Sequence, residues 1–139
     1  MSYTIKEVSE KLGIPTSTLR YYDRMGLLPS VERGKSGYRL FPKESIRTLR
    51  LIECLKSTGM TLEDIRTFME WVMQGESTMH KRYNLFLQQR RVVEEQIKQL
   101  HKTLEIIDYK CRLYETAINA ETADLYANAS EGKDPLDID

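Results

Sequence analysis

The most constraining feature of this chain is a heptad pattern of apolar residues from Met79 to Ile118. The positions are spaced alternately four and three residues apart, with Arg90 as the one exception. No glycine or proline interrupts the stretch, so it predicts a single helix of about 40 residues, roughly 60 Å long. The predicted seam residues are Phe86, Val93, Ile97, Leu100, Leu104, Ile107, Cys111 and Tyr114.

Such a helix cannot bury its apolar seam inside a chain of 139 residues. We therefore expect it to pair with the same helix of a second copy, which makes the protein a homodimer. This assigns residues 76–120 to a coiled-coil dimerisation helix. Residues 121–139 are acidic and weakly apolar, and we expect them to form a flexible tail.

Two short helices are predicted before the coiled coil. Thr4 and Glu7 form a capping box that starts the first helix, and Gly13 ends it after about two turns. Thr16 or Ser17 is expected to cap the second helix. Two short helices joined by a tight turn are typical of a helix-turn-helix.

The segment from residue 29 to residue 41 predicts a β-hairpin. Gly34 and Gly37 bracket Lys35 at a basic tip, as in the wing of a winged helix. Two further helices, over about residues 42–59 and 61–75, complete a domain of residues 1–75. The expected fold is therefore mainly helical, a winged helix-turn-helix followed by a long dimerisation helix.

The charge distribution along the chain indicates what kind of partner the protein binds. Residues 1–59 carry 11 Lys/Arg and 6 Asp/Glu, whereas the remainder carries 10 and 15. Only the first part therefore suits a polyanion such as double-stranded DNA. The sequence contains neither a membrane-spanning run nor a signal-peptide core. From this we expect a cytoplasmic protein without a membrane partner.

The second helix carries the predicted DNA contacts. Leu19 and Tyr22 are expected to pack inward, which leaves Arg20, Tyr21 and Arg24 facing out. Arginine reads guanine edges or holds phosphates, and a tyrosine hydroxyl suits phosphate. The alternative is a solvated charged face without a ligand. The basic hairpin that follows favours DNA binding, because a wing grips the backbone beside a recognition helix.

The run YTIKEVSEKLGIPTSTLRYYDRMGLL, then GYRLF, then KSTGMTLEDI resembles the MerR family of bacterial transcription regulators. The resemblance implies an antiparallel coiled-coil dimer on a pseudo-palindromic element within an overlong promoter spacer. An activating signal would make the dimer bend and untwist this spacer, which separates the two promoter hexamers, so that RNA polymerase can engage both hexamers. The hinge in such a mechanism would be the helix of residues 62–74, with Trp71, Met73 and the break at Gly75. The alternative is that Trp71, Met69 and Met73 only pack in the core. The resemblance also implies a nucleoid-associated location in a bacterium.

By position, the resemblance assigns recognition-helix contacts to Arg20, Tyr21 and Arg24. It assigns phosphate contacts in the wing to Tyr38 and Arg39. Further candidates for DNA contact are Thr16, Ser17 and Lys35.

The chain has two cysteines, expected to be free thiols. Cys111 falls in the heptad seam and is expected to pack there. Cys54 lies beside the predicted core face of its helix, with Arg50 one turn earlier, and a nearby cation favours the reactive thiolate. The resemblance extends to a subgroup in which this cysteine is the proposed sensor of aldehydes, other reactive carbonyls or nitrosative stress. A packed, inert Cys54 with another inducer, or none, remains the alternative.

No metal or cofactor is expected. The resemblance implies cysteine clusters for iron–sulfur and metal-sensing members and a further domain for drug-binding members, and none of these is evident here. His80 and His101 are read as solvated residues at the edge of the seam. No catalytic residue is predicted, since a Cys54 nucleophile would lack a nearby base. An architectural protein without an inducer is a further alternative.

Overall fold

A computed structural model describes residues 1–120 and 134–137. The chain is predominantly helical, with a small sheet, as predicted. Its elements in order are β1 (Ser2–Thr4), α1 (Ile5–Leu12), α2 (Thr16–Arg24), β2 (Glu32–Arg33), β3 (Arg39–Pro42), α3 (Lys43–Ser57), α4 (Leu62–Gln74), a 3₁₀ turn (Glu76–Thr78) and α5 (Met79–Ala120).

Helices α1 and α2 form the helix-turn-helix. The Thr4 hydroxyl accepts from the Glu7 amide at 3.2 Å, and the Glu7 carboxylate accepts from the Thr4 amide at 3.0 Å. Gly13 ends α1 with a φ of 69°, a left-handed conformation that costs glycine little. The capping box and the glycine stop are confirmed.

The start of α2 differs from the prediction. Pro15 is the N-cap, and no side chain among the described residues caps the helix. Thr16 is already the first helical residue, so neither it nor Ser17 is the cap. The physical reason is that proline fixes an extended entry into the helix, while the Pro15 carbonyl accepts from the Leu19 amide at 3.1 Å.

The sheet has three antiparallel strands in the order β1-β3-β2. The predicted hairpin is β2 and β3, with Arg33 opposite Arg39. The sequence reading missed β1, which places Tyr3 opposite Phe41. Strand β1 has three residues, too few to show a period of two, and its pairing partner lies far along the chain.

The core of the winged module is one cluster of buried apolar side chains contributed by α1, α2, β3, α3 and α4. The predicted inward residues of α3 are buried: Ile46, Leu49, Ile52 and Leu55. Thr61 caps α4 by accepting from the Asp64 amide at 3.1 Å, as predicted. In α4, Phe68 and Met69 are both buried, whereas Val72, also expected inward, is 37% exposed.

A polar cluster fixes the corner between α4 and α5. The buried Thr78 hydroxyl lies 2.6 Å from the Trp71 carbonyl oxygen and 2.8 Å from that of Gly75. The Arg82 guanidinium donates to the Gly75 carbonyl at 2.9 Å and to the Thr78 hydroxyl at 3.1 Å. The Thr78 hydroxyl and the Arg82 cation thus satisfy carbonyl groups at the end of α4 that lack helical partners.

The chain divides into two compact units, residues 1–89 and 90–139. Helix α5 has 42 residues and begins in the first unit, which confirms the predicted long helix. In the second unit, Leu113 is buried and Lys110 pairs with Asp134 at 3.1 Å. The predicted acidic tail lies outside the described residues, except for 134–137. None of the helices in the described part of the chain is long and apolar enough to cross a membrane.

Candidate nucleic-acid interface

The outer face of α2 presents the three predicted recognition residues together. Leu19 and Tyr22 are buried in the core, and Arg20, Tyr21 and Arg24 are exposed, as expected. Because 3.6 residues complete one turn, positions 20, 21 and 24 share one face. The result is an exposed surface with two guanidinium groups and one phenol, the donors that phosphates and guanine edges accept from.

The first turn of α2 adds two hydroxyl groups. Ser17 is exposed, while Thr16 is half-buried and accepts from the Arg20 guanidinium at 3.5 Å. This weak contact joins Thr16 to the recognition face. The N-terminal residues of a recognition helix are those that approach base edges most closely.

The tip of the wing is a compact turn from Gly34 to Gly37. The Gly37 amide donates to the Gly34 carbonyl at 3.0 Å, and the Gly34 amide donates to the Tyr38 carbonyl at 2.7 Å. The Tyr38 ring lies against Gly34, where an added Cβ would collide with it. Tyr38 is still 52% exposed, and Lys35 is exposed at the tip. Glycine at position 34 therefore lets the Tyr38 ring pack on the wing backbone.

Asp23 joins the recognition helix to the wing. The Arg39 Nε donates to the Asp23 carboxylate at 2.7 Å, and the two side chains are 14% and 19% exposed. Arg33 lies 4.0 Å from the same carboxylate and donates to the Gly37 carbonyl at 2.9 Å. A largely buried ion pair with a short hydrogen bond holds α2 and the wing, the two elements predicted to face DNA, in one geometry.

Sequence reasoning missed the role of Asp23. Its partner is 16 positions away, and a single acidic residue in a basic helix gives no pattern that identifies a partner. Arg39 was expected to contact phosphate. Its Nε bonds to Asp23, so the two terminal nitrogens are those that a phosphate would contact.

Tyr22 connects α2 to the end of α3. Its hydroxyl donates to the Glu53 carboxylate at 2.9 Å and accepts from the Lys56 ammonium at 2.6 Å. Burial raises the pKa of Tyr22, and the hydrogen bond to Tyr22 raises the pKa of Lys56. Sequence reasoning also missed this network, since Glu53 and Lys56 lie 31 and 34 positions after Tyr22.

Cys54 is exposed on α3, where it lies between Glu53 and Lys56 in the sequence. The neighbouring Arg50 and Arg47 are exposed as well. Its position beside the buried face of α3 agrees with the prediction. Cys111 is also exposed in the single chain. Within residues 1–120 and 134–137, no group of three His, Cys, Asp or Glu side chains is placed to hold a metal ion.

The predicted dimerisation residues form an exposed apolar stripe along α5. Phe86 is 37% exposed and packs edge-on against buried Phe68 with ring centroids 5.2 Å apart, so this end of the stripe contacts the first unit's core. Farther along, Ile97, Leu100, Leu104, Ile107 and Tyr114 are 49–67% exposed. Val93 is half-buried.

Two family models match this chain. Residues 3–71 match "MerR HTH family regulatory protein", and residues 46–108 match "MerR, DNA binding". An uncharacterized HTH-type transcriptional regulator of Haemophilus influenzae is 42% identical over 117 residues, which is 84% of this chain and 87% of the relative. This chain belongs to the MerR family of transcriptional regulators. MerR regulators are not enzymes, and neither is this chain.

Solved MerR structures have the same fold. HiNmlR, a MerR family regulator lacking the sensor domain and bound to promoter DNA, matches with a TM-score of 0.80 and 40% identity, covering 88% of this chain and 97% of that one. A MerR regulator from Bacillus thuringiensis matches with a TM-score of 0.73 and 38% identity, covering 81% and 98%. The winged helix-turn-helix prediction is confirmed.

Proposed function

We propose that this MerR regulator binds a pseudo-palindromic promoter element as a homodimer and activates transcription by distorting the DNA. The observation that carries the proposal is the joint exposure of Arg20, Tyr21 and Arg24 on α2. The promoter DNA bound by the related HiNmlR supports it. The protein would act at the nucleoid in the bacterial cytoplasm.

The proposed contacts follow from the chemistry of each side chain. Arg20 and Arg24 would reach base edges or phosphates from α2, and Tyr21 would donate to a phosphate. Thr16 and Ser17 would lie at the helix end that enters the groove. In the wing, Lys35, Tyr38 and Arg39 would hold the flanking backbone.

The proposed dimer uses the apolar stripe of α5, paired antiparallel with a second copy. Two winged modules at a fixed separation accept DNA of one shape, and bending a site costs of order 1–6 kcal/mol. The polar corner formed by Thr78 and Arg82 supports the proposal, because it gives the end of the hinge helix α4 and the break at Gly75 a defined geometry. RNA polymerase would then engage both hexamers of the distorted promoter.

The DNA proposal is tested with a duplex selected by the protein from random sequences. Arg20→Ala and Arg24→Ala are each expected to weaken binding by about 1–3 kcal/mol. Fluorescence anisotropy at several salt concentrations measures the change. The control is Lys98→Ala, which removes an exposed cation of α5 outside the seam.

Footprinting then separates the proposed activator from an architectural protein. The regulator should protect one promoter spacer and make its centre hypersensitive to cleavage. Equal protection of many unrelated sequences would exclude the activator mechanism.

We propose Cys54 as the sensor of reactive carbonyls or of nitrosative stress. The exposure of its thiol supports this, because an electrophile can reach it. Modification at that position would act on α3, whose end is joined to α2 through Tyr22. An inert Cys54 with another inducer is the competing hypothesis.

Promoter transcription in vitro, with and without an aldehyde, tests the sensor. The wild type and the Cys111→Ser control should respond, and Cys54→Ser should not. An unchanged response of Cys54→Ser would assign sensing to another group and leave the DNA-binding proposal intact.

A further inference from the structure

Four cationic side chains line one surface cleft of the first unit. The cleft has a volume of about 210 Å³. It lies where the end of α1 meets the first half of α3. Its lining residues are Tyr3, Lys11, Lys43, Ile46, Arg47 and Arg50.

These cations are not neutralised by the part of the chain that the structure describes. None of the four makes a salt bridge within residues 1–120 and 134–137, in contrast to Arg39 with Asp23. The described residues place no carboxylate in the lining of the cleft. Glu7 and Glu10 line a neighbouring depression that shares Tyr3 and Lys11 with the cleft, and Glu7 is already committed to the cap of α1.

Two further features add to the positive potential of the cleft. The Lys11 ammonium lies 5.8 Å from the centre of the Tyr3 ring, a cation–π contact that keeps this charge beside the cleft. Lys43 is the first residue of α3, whose N-terminus has no side-chain cap from the described part of the chain. The partial positive charge of that 15-residue helix therefore adds to the charges of the side chains.

The lining also indicates the kind of anion. Arginine forks bind the oxygens of a phosphate in pairs, and two arginines and two lysines match a group that carries more than one negative charge. Buried Ile46 and the Tyr3 ring provide apolar surface beside the charges. The residues assigned to DNA on α2 and the wing are not among those that line the cleft.

We propose that this cleft is a phosphate-binding site, separate from the recognition helix and the wing. A phosphate group can reach it from two sources, a small phosphorylated ligand or the backbone of DNA bent around the protein. The first source does not depend on the proposed promoter mechanism, whereas the second rests on it.

Calorimetric titration with inorganic pyrophosphate tests the site directly. The variant is Arg47→Gln with Arg50→Gln, and both residues are exposed, so the fold should persist in circular dichroism. The wild type should bind, and the variant should bind at least about tenfold more weakly, equivalent to the loss of ~1.4 kcal/mol. The control is Lys98→Gln with Lys102→Gln, which removes equal charge from exposed positions of α5.

DNA binding by the same proteins identifies the source. If the cleft holds backbone phosphates, the slope of log affinity against log salt should flatten by ~0.9 for each phosphate that the variant leaves without a cation. An unchanged slope with weakened pyrophosphate binding assigns the site to a small phosphorylated ligand. If neither pyrophosphate binding nor the slope differs between the variant and its control, the proposal is wrong. Failure of all proteins to bind any DNA would instead count against the proposed function.

Discussion

The two units of this protein differ in where their apolar side chains find partners. In residues 1–89, large apolar residues such as Leu19, Phe41 and Leu49 are fully buried within one chain. In residues 90–139, the stripe from Ile97 to Ile118 is 49–71% exposed. One unit closes its own core, whereas the other presents an apolar face that a single copy leaves in water.

This difference implies that the two units have different roles. In the proposed function the first unit would need a fixed internal geometry, because α2 and the wing would meet DNA together. The second unit would need a partner, since burial of its stripe would stabilise a pair of long helices. Variants that disrupt one unit at a time test these roles.

The largest effect is expected from charges in the exposed stripe. Leu100→Asp with Leu104→Asp should give monomers in analytical ultracentrifugation, because carboxylates cannot be buried unpaired between helices. Loss of bivalency should weaken operator binding by about 10²-fold or more. Lys98→Asp with Lys102→Asp, outside the stripe, should remain dimeric. A dimer that survives the leucine changes would show that α5 does not hold it together.

A core truncation should act on the first unit. Leu49 is 0% exposed, so Leu49→Ala should cost about 2–5 kcal/mol of unfolding free energy through reduced burial and a cavity. Urea unfolding followed by circular dichroism measures it, with exposed Arg47→Ala as the control. The same decrease should appear in the Leu100/Leu104 variant. A markedly smaller decrease there would mean that the first unit depends on dimerisation.

The ion pair between recognition helix and wing should contribute less. Asp23→Ala is expected to destabilise the protein by about 1–3 kcal/mol and to weaken operator binding, since Arg39 loses its acceptor. The exposed pair Arg66–Glu70 is the matched control, and Glu70→Ala should cost about 0–1 kcal/mol.

Exchanging the two charges tests whether the pair positions the wing or contributes only through its net charge. Asp23→Arg combined with Arg39→Asp should recover part of the stability and affinity that either change removes alone. If the double variant is no better than the worse single variant, the pair does not position the wing.

The smallest effect is expected at Tyr22. Tyr22→Phe should cost about 0.5–1.5 kcal/mol near neutral pH, because Glu53 and Lys56 lose a shared partner. In the folded protein, burial raises the pKa of Tyr22 above 10.0 and the hydrogen bond to Tyr22 raises the pKa of Lys56 above 10.5. The stability linked to these two protons is therefore present below those values and is lost as pH rises above them.

Urea unfolding between about pH 8 and pH 11 measures this effect. The wild type should lose more stability than Tyr22→Phe over that range. If the unfolding free energy decreased equally in both proteins, the titration of Tyr22 and Lys56 would not contribute to the loss of stability at alkaline pH.

Much of the fold could be predicted because its determinants are local. The capping box of Thr4 and Glu7, the stop at Gly13 and the heptads of α5 depend on residues a few positions apart. The same periodicity placed Arg20, Tyr21 and Arg24 outside and Tyr22 inside. It also placed Cys54 beside the buried face of α3.

The parts that the sequence left open depend on pairing across long stretches of chain. No periodicity indicates that Ser2–Thr4 is a strand, that Arg39 turns to Asp23, or that Lys11 and Arg50 line one cleft. The sequence by itself determined the helices and most of their buried faces, and it predicts the seam, because these follow from spacing within one element. Only the tertiary structure decided which charged groups pair with each other and which share a cleft, because that depends on which elements pack together.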